Sequence, residues 1–278
     1  MRTFRFLLAL HLTLATVRTL AQPLPLTPIR ASGQSVTAVF EGWYKNADGT
    51  FSLSFGYFNR NAEETVEITM GPNNFIAPST FNGAQPTRFA PRRHWGVFVV
   101  TVPANFGEQR VVWTLINRGD TVAIPGSLRR NWEIDALAGE AGSGNTPPLV
   151  SFAQGGPASS GPRGVGTSLT GKVGESLTLT LWASDDGRAR TSVASDGRRG
   201  VWPSLTWFVH QAPAGSRVEF GNPSPGVGGD GKATTSVTFS APGAYVLRAR
   251  VNDASGVSSA GHAQCCWTNA FVTVTVSH

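Results

Sequence analysis

Charged residues are scarce in this sequence: Asp, Glu, Lys and Arg make up 14% of its 278 residues. Soluble proteins average about 25%, and long helices need charged outer faces, so the composition argues against a long-helix or coiled-coil protein. No segment approaches the roughly 20 apolar residues of a membrane span. The GxSxG, HExxH, P-loop and dinucleotide-binding motifs of enzymes are also missing. Glycine and proline are abundant instead, with 32 Gly and 18 Pro.

The N-terminus has the organisation of a secretory signal peptide. Two arginines precede an apolar run of about 12 residues, and Thr19 and Ala21 supply the small side chains of a cleavage site. We therefore predict a cleaved signal peptide at 1–21 and an extended, Pro-rich leader at 22–35. The protein is expected to be secreted, to the periplasm or to the extracellular space.

The basic charge of the chain is modest and dispersed. The formal net charge is +6, and removal of the three arginines of the signal peptide leaves +3. Adjacent basic pairs occur at 92–93, 129–130 and 198–199. Nucleic-acid binding requires a concentrated basic stripe. The sequence therefore predicts a solvated surface, with no nucleic-acid partner and no membrane span.

Alternation of apolar and polar residues predicts an all-β protein. Residues 50–59 place Phe, Leu, Phe and Tyr on one face and Ser, Ser and Gly on the other, as in a half-buried antiparallel strand. Residues 138–148 are small and polar and end in Pro-Pro, a linker composition. We predict two antiparallel, immunoglobulin-like β-sandwich domains, at 36–137 and 149–278, after the cleaved signal peptide.

The C-terminal domain shows the clearest strand pattern. Alternation predicts strands at 176–183, 204–210, 234–239, 244–251 and 271–277. Gly-, Pro- and Ser-rich composition predicts loops at 153–168, 184–203 and 221–233. Tyr245, Leu247, Ala249 and Val251 share one face of the strand at 244–251.

Several segments of the C-terminal domain follow a pattern of bacterial surface proteins. They are the NTPP entry at 145–148, the run VGESLTLTLWASDDG, Trp207, and TTSVTFSAPGAYVLRARVNDASG at 234–256. Through them, residues 145–277 resemble PKD-like and related immunoglobulin-like modules. The resemblance implies a sandwich with Trp207 in its core that serves as a spacer or binding module of an extracellular protein. The N-terminal domain, around EGWYKNADGTFSLSFGYFNRN, resembles uncharacterised secreted bacterial proteins.

Cys265 and Cys266 are the only cysteines, and Trp267 follows them. Neighbouring Cα atoms lie about 3.8 Å apart, below the usual range for a disulfide, so an ordinary intrachain bridge is excluded. A vicinal disulfide, two free thiols and a bridge to another chain remain open. His262 adds one nitrogen to this loop, but structural zinc takes four spaced ligands. We therefore predict no metal here and no cofactor.

Aromatic and basic side chains mark a candidate ligand site in the N-terminal domain. Trp43 and Tyr44 are neighbours, so one of them must face outward on a regular strand. The segment Arg92-Arg93-His94-Trp95 precedes a predicted strand at 96–102. Aromatic rings can stack on sugars while arginines hydrogen-bond hydroxyl groups. The alternative is core packing, because aromatic residues dominate β cores.

Asp185, Asp186 and Asp253, with Asn145 at the linker, are candidate oxygen ligands for calcium, which takes six to eight oxygens. The alternative is that these side chains cap turns, as in Asp-Gly sequences. We predict no metal and keep Asp185, Asp186 and Asp253 only as calcium candidates.

The predicted function is an exported, non-catalytic binding or structural module of the bacterial cell exterior. Its expected partner is a cell-surface polysaccharide or another exported protein. Two alternatives stay open: a glycan-binding accessory protein of a polysaccharide-degrading system, and a carboxylate-based hydrolase in the N-terminal domain. Exposed, coplanar aromatic rings would favour the first, and two carboxylates about 5–10 Å apart in a cleft would favour the second.

Overall fold

The computed structural model describes residues 28–138, 144–188, 203–255 and 261–278. The predicted signal peptide, most of the predicted leader and the middle of the predicted linker lie outside these ranges. The described chain is all-β, as predicted, with seventeen strands and four short 3₁₀ helices. Within it, no helix is long and apolar enough to cross a bilayer.

Eight strands belong to the N-terminal half. They are β1 (Val36–Lys45), β2 (Phe51–Asn59), β3 (Val66–Glu67), β4 (Asn74–Ala77), β5 (Arg88–Phe89), β6 (Arg92–Val102), β7 (Val111–Asn117) and β8 (Asp120–Gly126). The 3₁₀ helices here are η1 (Ser79–Phe81), η2 (Arg130–Trp132) and η3 (Asp135–Ala138). β1, β2 and β6 form one antiparallel sheet, β4, β7 and β8 form a second, and β3 pairs with β5.

Trp113 of β7 joins the two main sheets of the N-terminal half. Its ring meets Phe55 and Phe98 edge-on, with centroids 6.2 and 4.9 Å apart. Its indole nitrogen donates to the side-chain oxygen of Asn74 over 3.0 Å. The β core is therefore aromatic and has its polar atom satisfied, which makes this half a packed β-sandwich.

The β2 strand differs from its prediction as a half-buried strand. Ser52 and Ser54, on its small-residue face, are 0% exposed. β2 is the central strand between β1 and β6, and Gly56 on the same face lies against the Glu41 carboxylate, where a Cβ atom would overlap it. The small side chains therefore make room for a covering layer instead of facing water.

Nine strands belong to the C-terminal half. They are β9 (Leu149–Ser151), β10 (Ala158–Ser159), β11 (Val165–Lys172), β12 (Leu177–Ser184), β13 (Ser204–Gln211), β14 (Val218–Phe220), β15 (Lys232–Phe239), β16 (Gly243–Asn252) and β17 (Trp267–Ser277), with η4 at Gly261–Ala263. They form a five-stranded sheet in the order β10-β9-β12-β15-β14 and a four-stranded sheet in the order β11-β17-β16-β13.

The C-terminal half is an immunoglobulin-like sandwich. Its two sheets enclose Trp207 of β13, which is 3% exposed, as the family resemblance implied. The hydroxyl of Tyr245, at the start of β16, donates to the Ala241 carbonyl oxygen over 2.7 Å. This backward hydrogen bond is the tyrosine corner typical of immunoglobulin-like folds. Tyr245, Leu247, Ala249 and Val251, which share one strand face, form part of the core.

The sequence missed some strands of the C-terminal half. Residues 153–168 were predicted to be a loop, but they include β10 and the start of β11. β11 has no continuous apolar face, because its side chains alternate between half-buried and exposed. Parallel pairing along its whole length with β17 holds it in place. Such pairing partners are distant in sequence and leave no local pattern.

Candidate functional site

The two halves meet across the outer face of the sheet formed by β11, β17, β16 and β13. Leu247, Ala249 and Val251 point into the C-terminal core, so Arg248 and Arg250 point the other way. In an isolated sandwich that outer face would be solvated. Arg248 is nevertheless only 1% exposed, because the N-terminal half covers it.

Hydrogen bonds close one edge of this interface. The Thr87 amide donates to the His210 carbonyl oxygen over 2.8 Å, and the Ala212 amide donates to the Thr87 hydroxyl over 3.1 Å. The side-chain amide of Gln211 donates to the carbonyl oxygen of Gly83 over 2.8 Å. These groups would be left unpaired by a shift of one half along the other, so they fix the register of the interface.

Trp267 of β17 packs directly against the backbone of the N-terminal half. It is fully buried, and a Cβ atom added at Gly96 of β6 would overlap its indole ring. The indole nitrogen and the side-chain amide of Asn269 both donate to the Gly96 carbonyl oxygen, over 3.3 and 2.7 Å. Gly96 also has a φ of +48°. Both its conformation and the close approach require glycine.

Asn269 connects this contact to a buried arginine. Its side-chain oxygen accepts a hydrogen bond from Nη1 of Arg248 over 3.0 Å. The guanidinium carbons of Arg248 and Arg250 lie 4.7 and 5.5 Å from the centre of the Phe208 ring. His94 of β6 meets the same ring edge-on at 5.3 Å. Phe208 thus stacks with two cations and contacts the N-terminal half.

A cavity of about 420 Å³, here called the interface cavity, opens beside this stack. Its volume lies within the range of small-molecule sites. The N-terminal half contributes Tyr57 and Val97 to its walls, and the C-terminal half contributes Trp207, Phe208 and Phe220. The charged residues that line it are three arginines and one glutamate, Arg88, Arg217, Arg248 and Glu219.

Arg248 is the buried cation of the interface cavity. In the described part of the chain it has no ion-pair partner, and its Nε atom has no hydrogen-bond partner. Burial and the neighbouring charge of Arg250 lower the pKa of Arg248 to about 9, so it remains a cation at neutral pH. Burying an unpaired ion costs several kcal/mol, whereas stacking on an aromatic ring contributes about 0.5–2 kcal/mol.

Two histidines at the interface are held as neutral side chains. Nε2 of His210 donates to the Ala84 carbonyl oxygen over 2.8 Å, and Nε2 of His94 donates to the Pro91 carbonyl oxygen over 3.1 Å. Their buried Nδ1 atoms have no partner among the described residues. Burial, together with the charge of Arg248, lowers the pKa of each to about 3.

Glu41 has a perturbed pKa but is sealed from solvent. Its carboxylate is 4% exposed and accepts a hydrogen bond from Nη2 of Arg93 over 2.7 Å. Burial raises the pKa of Glu41 to about 7, against the opposite effect of Arg93. Its carbonyl oxygen accepts from the Gln264 side chain across the interface, over 2.7 Å.

Trp43, Tyr44 and His94 of the predicted ligand site are built into the fold. Trp43 is 8% exposed, and its indole nitrogen donates to the Arg129 carbonyl oxygen over 2.8 Å. Tyr44 is half-buried, and its hydroxyl accepts from the Arg163 amide over 2.7 Å. His94 lies in the interface, stacked on Tyr57 with ring centroids 4.9 Å apart.

Arg92, Arg93 and Trp95 lie within β6, which begins at Arg92 and not after the segment as predicted. Arg92 is exposed above the Phe58 ring at 5.2 Å. The Arg93 guanidinium lies 4.8 Å from the centre of the Trp95 ring and covers it. The six predicted residues therefore do not form one coplanar platform. Trp132 is the exposed large aromatic side chain of the described residues, at 40%.

The cysteine pair lies beside the interface. Cys265 and Cys266 are 7% and 0% exposed, their Sγ atoms are at bonding distance, and they pack against Ala136. The vicinal disulfide remains the prediction that fits this arrangement. Nδ1 of the exposed His262 lies 2.8 Å from the Asp135 carboxylate of the N-terminal half.

The three predicted calcium ligands accept hydrogen bonds from turns and from the segment at 145–148. Buried Asp253 accepts from the Asn145 side chain over 2.7 Å, and exposed Asp186 accepts from the Thr146 hydroxyl over 2.9 Å. Asp185 is half-buried, and burial raises its pKa. Throughout the described ranges, no group of three or more His, Cys, Asp or Glu side chains is placed to hold a metal ion.

Comparison with solved structures finds matches with low TM-scores. The chain is 14% identical to the D00-D0 domain of intimin, covering 88% of this chain and 100% of that one, with a TM-score of 0.28. It is 11% identical to domains 4 and 5 of the S-layer protein SbsC, covering 80% of this chain and 90% of that one, with a TM-score of 0.24. It is 16% identical to the Escherichia coli adhesin FdeC, covering 91% of this chain and 66% of that one, also with a TM-score of 0.24. No protein-family model matches the sequence, and no curated protein does.

Replacing Gly96 with alanine tests the contact with Trp267. We expect a loss of roughly 3 kcal/mol or more in unfolding free energy, because overpacking adds to the penalty of a left-handed residue. Gly107→Ala is the matched control, since its φ is +60° and the nearest atom to an added Cβ is 3.9 Å away. Chemical denaturation of both variants measures the difference, and equal losses would contradict the close contact.

Replacing His210 with glutamine tests the neutral histidine. Since its pKa is lowered on folding, His210 contributes stability above pH 6.5 that is lost as the pH falls toward 3. The stability deficit of His210→Gln should therefore shrink by about 2 kcal/mol between pH 7.5 and 5. His278→Gln, at the exposed C-terminus, is the control and should show no such change. A deficit that stays constant with pH would argue against a buried neutral imidazole.

Proposed function

We propose that this protein is an exported, non-catalytic module of the bacterial cell exterior, in which two β-sandwiches act as one rigid structural and binding body. The observation that carries the proposal is the buried outer face of the C-terminal sheet. A spacer of independent domains would leave that face solvated. Here that face contacts the N-terminal half through Trp267, Asn269 and Phe208.

Export is supported by the N-terminal sequence and by the cysteine pair. A basic start, an apolar run and small residues before Gln22 are what a signal peptidase substrate requires. A disulfide between Cys265 and Cys266 would persist in an oxidising compartment, whereas the cytosol keeps thiols reduced. Both features favour a protein that functions outside the cytoplasm, with a surface polysaccharide or another exported protein as its partner.

The two alternative functions have less support. An accessory glycan binder would present a platform of exposed rings, but Trp43 is enclosed and Trp95 is covered by Arg93. A carboxylate-based hydrolase would need an accessible acid, and Glu41, which has the suitable pKa, is sealed beneath the same arginine. We therefore propose the non-catalytic structural and binding function over these two alternatives.

One preparation tests export and rigidity together. The full chain is produced in a bacterial host, recovered by fractionation, and sequenced from its N-terminus; we expect it outside the cytoplasm, beginning at Gln22. Nitroxide labels are then introduced as encoded amino acids at Thr121 and Thr178, both exposed and on different halves. The distance distribution between them should be single and narrow.

Each readout has its own contradicting result. Retention in the cytoplasm with Met1 intact would refute export. A broad or multiple distance distribution would refute the rigid body, and labels at Thr121 and Thr101, both on the N-terminal half, provide the reference width for a single sandwich. Labelling through encoded residues leaves Cys265 and Cys266 unmodified.

A further inference from the structure

The interface cavity is lined by a buried cation, Arg248, that has no anionic partner among the described residues. Arg248 lies on a β-strand, where its position is fixed by the hydrogen bond from Nη1 to Asn269. Nε is left without a partner, and no hydrogen bond from Nη2 is present among the described residues. Nε and Nη2 form the side edge of a guanidinium, the edge that can donate two parallel hydrogen bonds to one carboxylate.

Of the other charged residues near Arg248, Arg250 adds to the positive charge beside the cavity. Arg250 stacks on the same Phe208 ring and is also without a partner at Nε. Arg88 is neutralised by Glu67 at 3.0 Å, and Arg217 and Glu219 are exposed residues of the lining. The exposed pair is screened by water, so the buried guanidinium dominates the field inside the cavity.

The remaining walls are suited to a flat apolar group. Tyr57, Trp207, Phe208 and Phe220 surround the cavity, and Val97 adds an aliphatic surface. The Tyr57 hydroxyl accepts from the Ala90 amide over 2.9 Å, so its own proton is available for donation. A cavity that combines aromatic walls with one buried cation and one hydroxyl donor matches a ring that bears a carboxylate.

We propose that the interface cavity is a binding site for a small aromatic monocarboxylate, whose carboxylate pairs with the Arg248 guanidinium and whose ring lies among Tyr57, Phe208 and Phe220. The site exists only when the two halves are packed together, because each half supplies part of the walls. This proposal goes beyond the exported rigid body, which would stand without it.

The proposal is tested by titrating the full mature protein with benzoate and following heat release and thermal stability. Benzoate should bind and raise the melting temperature, and benzamide, which has the same shape without the charge, should bind at least about tenfold more weakly. Phosphate and glucuronate are the other probes. Equal binding of benzoate and benzamide, binding of phosphate or glucuronate in preference to benzoate, or no binding of benzoate would each overturn the proposal.

Variants locate the site. Arg248→Met should fold with unchanged or higher thermal stability, because it removes an unpaired buried charge, and should lose benzoate binding by at least about tenfold. Arg248→Lys keeps the charge without the two-pronged edge and should bind with intermediate affinity. Arg110→Met, at an exposed position outside the cavity, is the matched control and should bind like the unaltered protein. Unchanged binding by the two Arg248 variants would contradict the assignment.

Discussion

The contact between Trp267 and Gly96 is the constraint on which the rest of the structure depends. An indole ring laid directly on a glycine backbone brings β17 of one half against β6 of the other. Because the two strands lie so close, the Asn269 side chain also donates to the Gly96 carbonyl oxygen, and the neighbouring face of the C-terminal sheet is shielded from water. The burial of Phe208, Arg248 and the two histidines follows from this approach.

Closing that face changes the chemistry of ordinary residues. Arginine, histidine and glutamate on the outer face of a sandwich normally keep their solution pKa values. Here burial lowers the pKa of His94 and His210 and of Arg248, and it raises the pKa of Glu41. The interface is thus built partly from groups that oppose burial. Hydrogen bonds to Asn269 and to backbone carbonyl oxygens offset part of that opposition.

Much of the fold could be predicted from the sequence because alternation is local. β2, β12 and β16 are recognised from their period of two, and Trp207 and Tyr245 mark the immunoglobulin-like core. β11 was missed because its Gly, Ser and Thr residues pack weakly and rely on pairing with β17. The place of Cys265 and Cys266 beside the interface could not be predicted, because it depends on packing against the N-terminal half.

The candidate site could not be predicted in the same way. Arg248 and Arg250 alternate with core residues, and a solvated strand face shows the same pattern as one covered by another half. One feature of the sequence could have indicated the covered face. Phe208 and Phe271 occupy the strand positions that alternate with core residues, and both lie on the covered face with Arg248. Large rings on an outer face indicate that something covers it.

The central claim is that the two sandwiches form one body through a buried polar face, and the cooperativity of unfolding tests it most directly. Differential scanning calorimetry of the mature chain should show a single transition whose calorimetric and van't Hoff enthalpies agree, because neither half keeps its interface without the other. Two resolved transitions, one for each sandwich, would contradict the account.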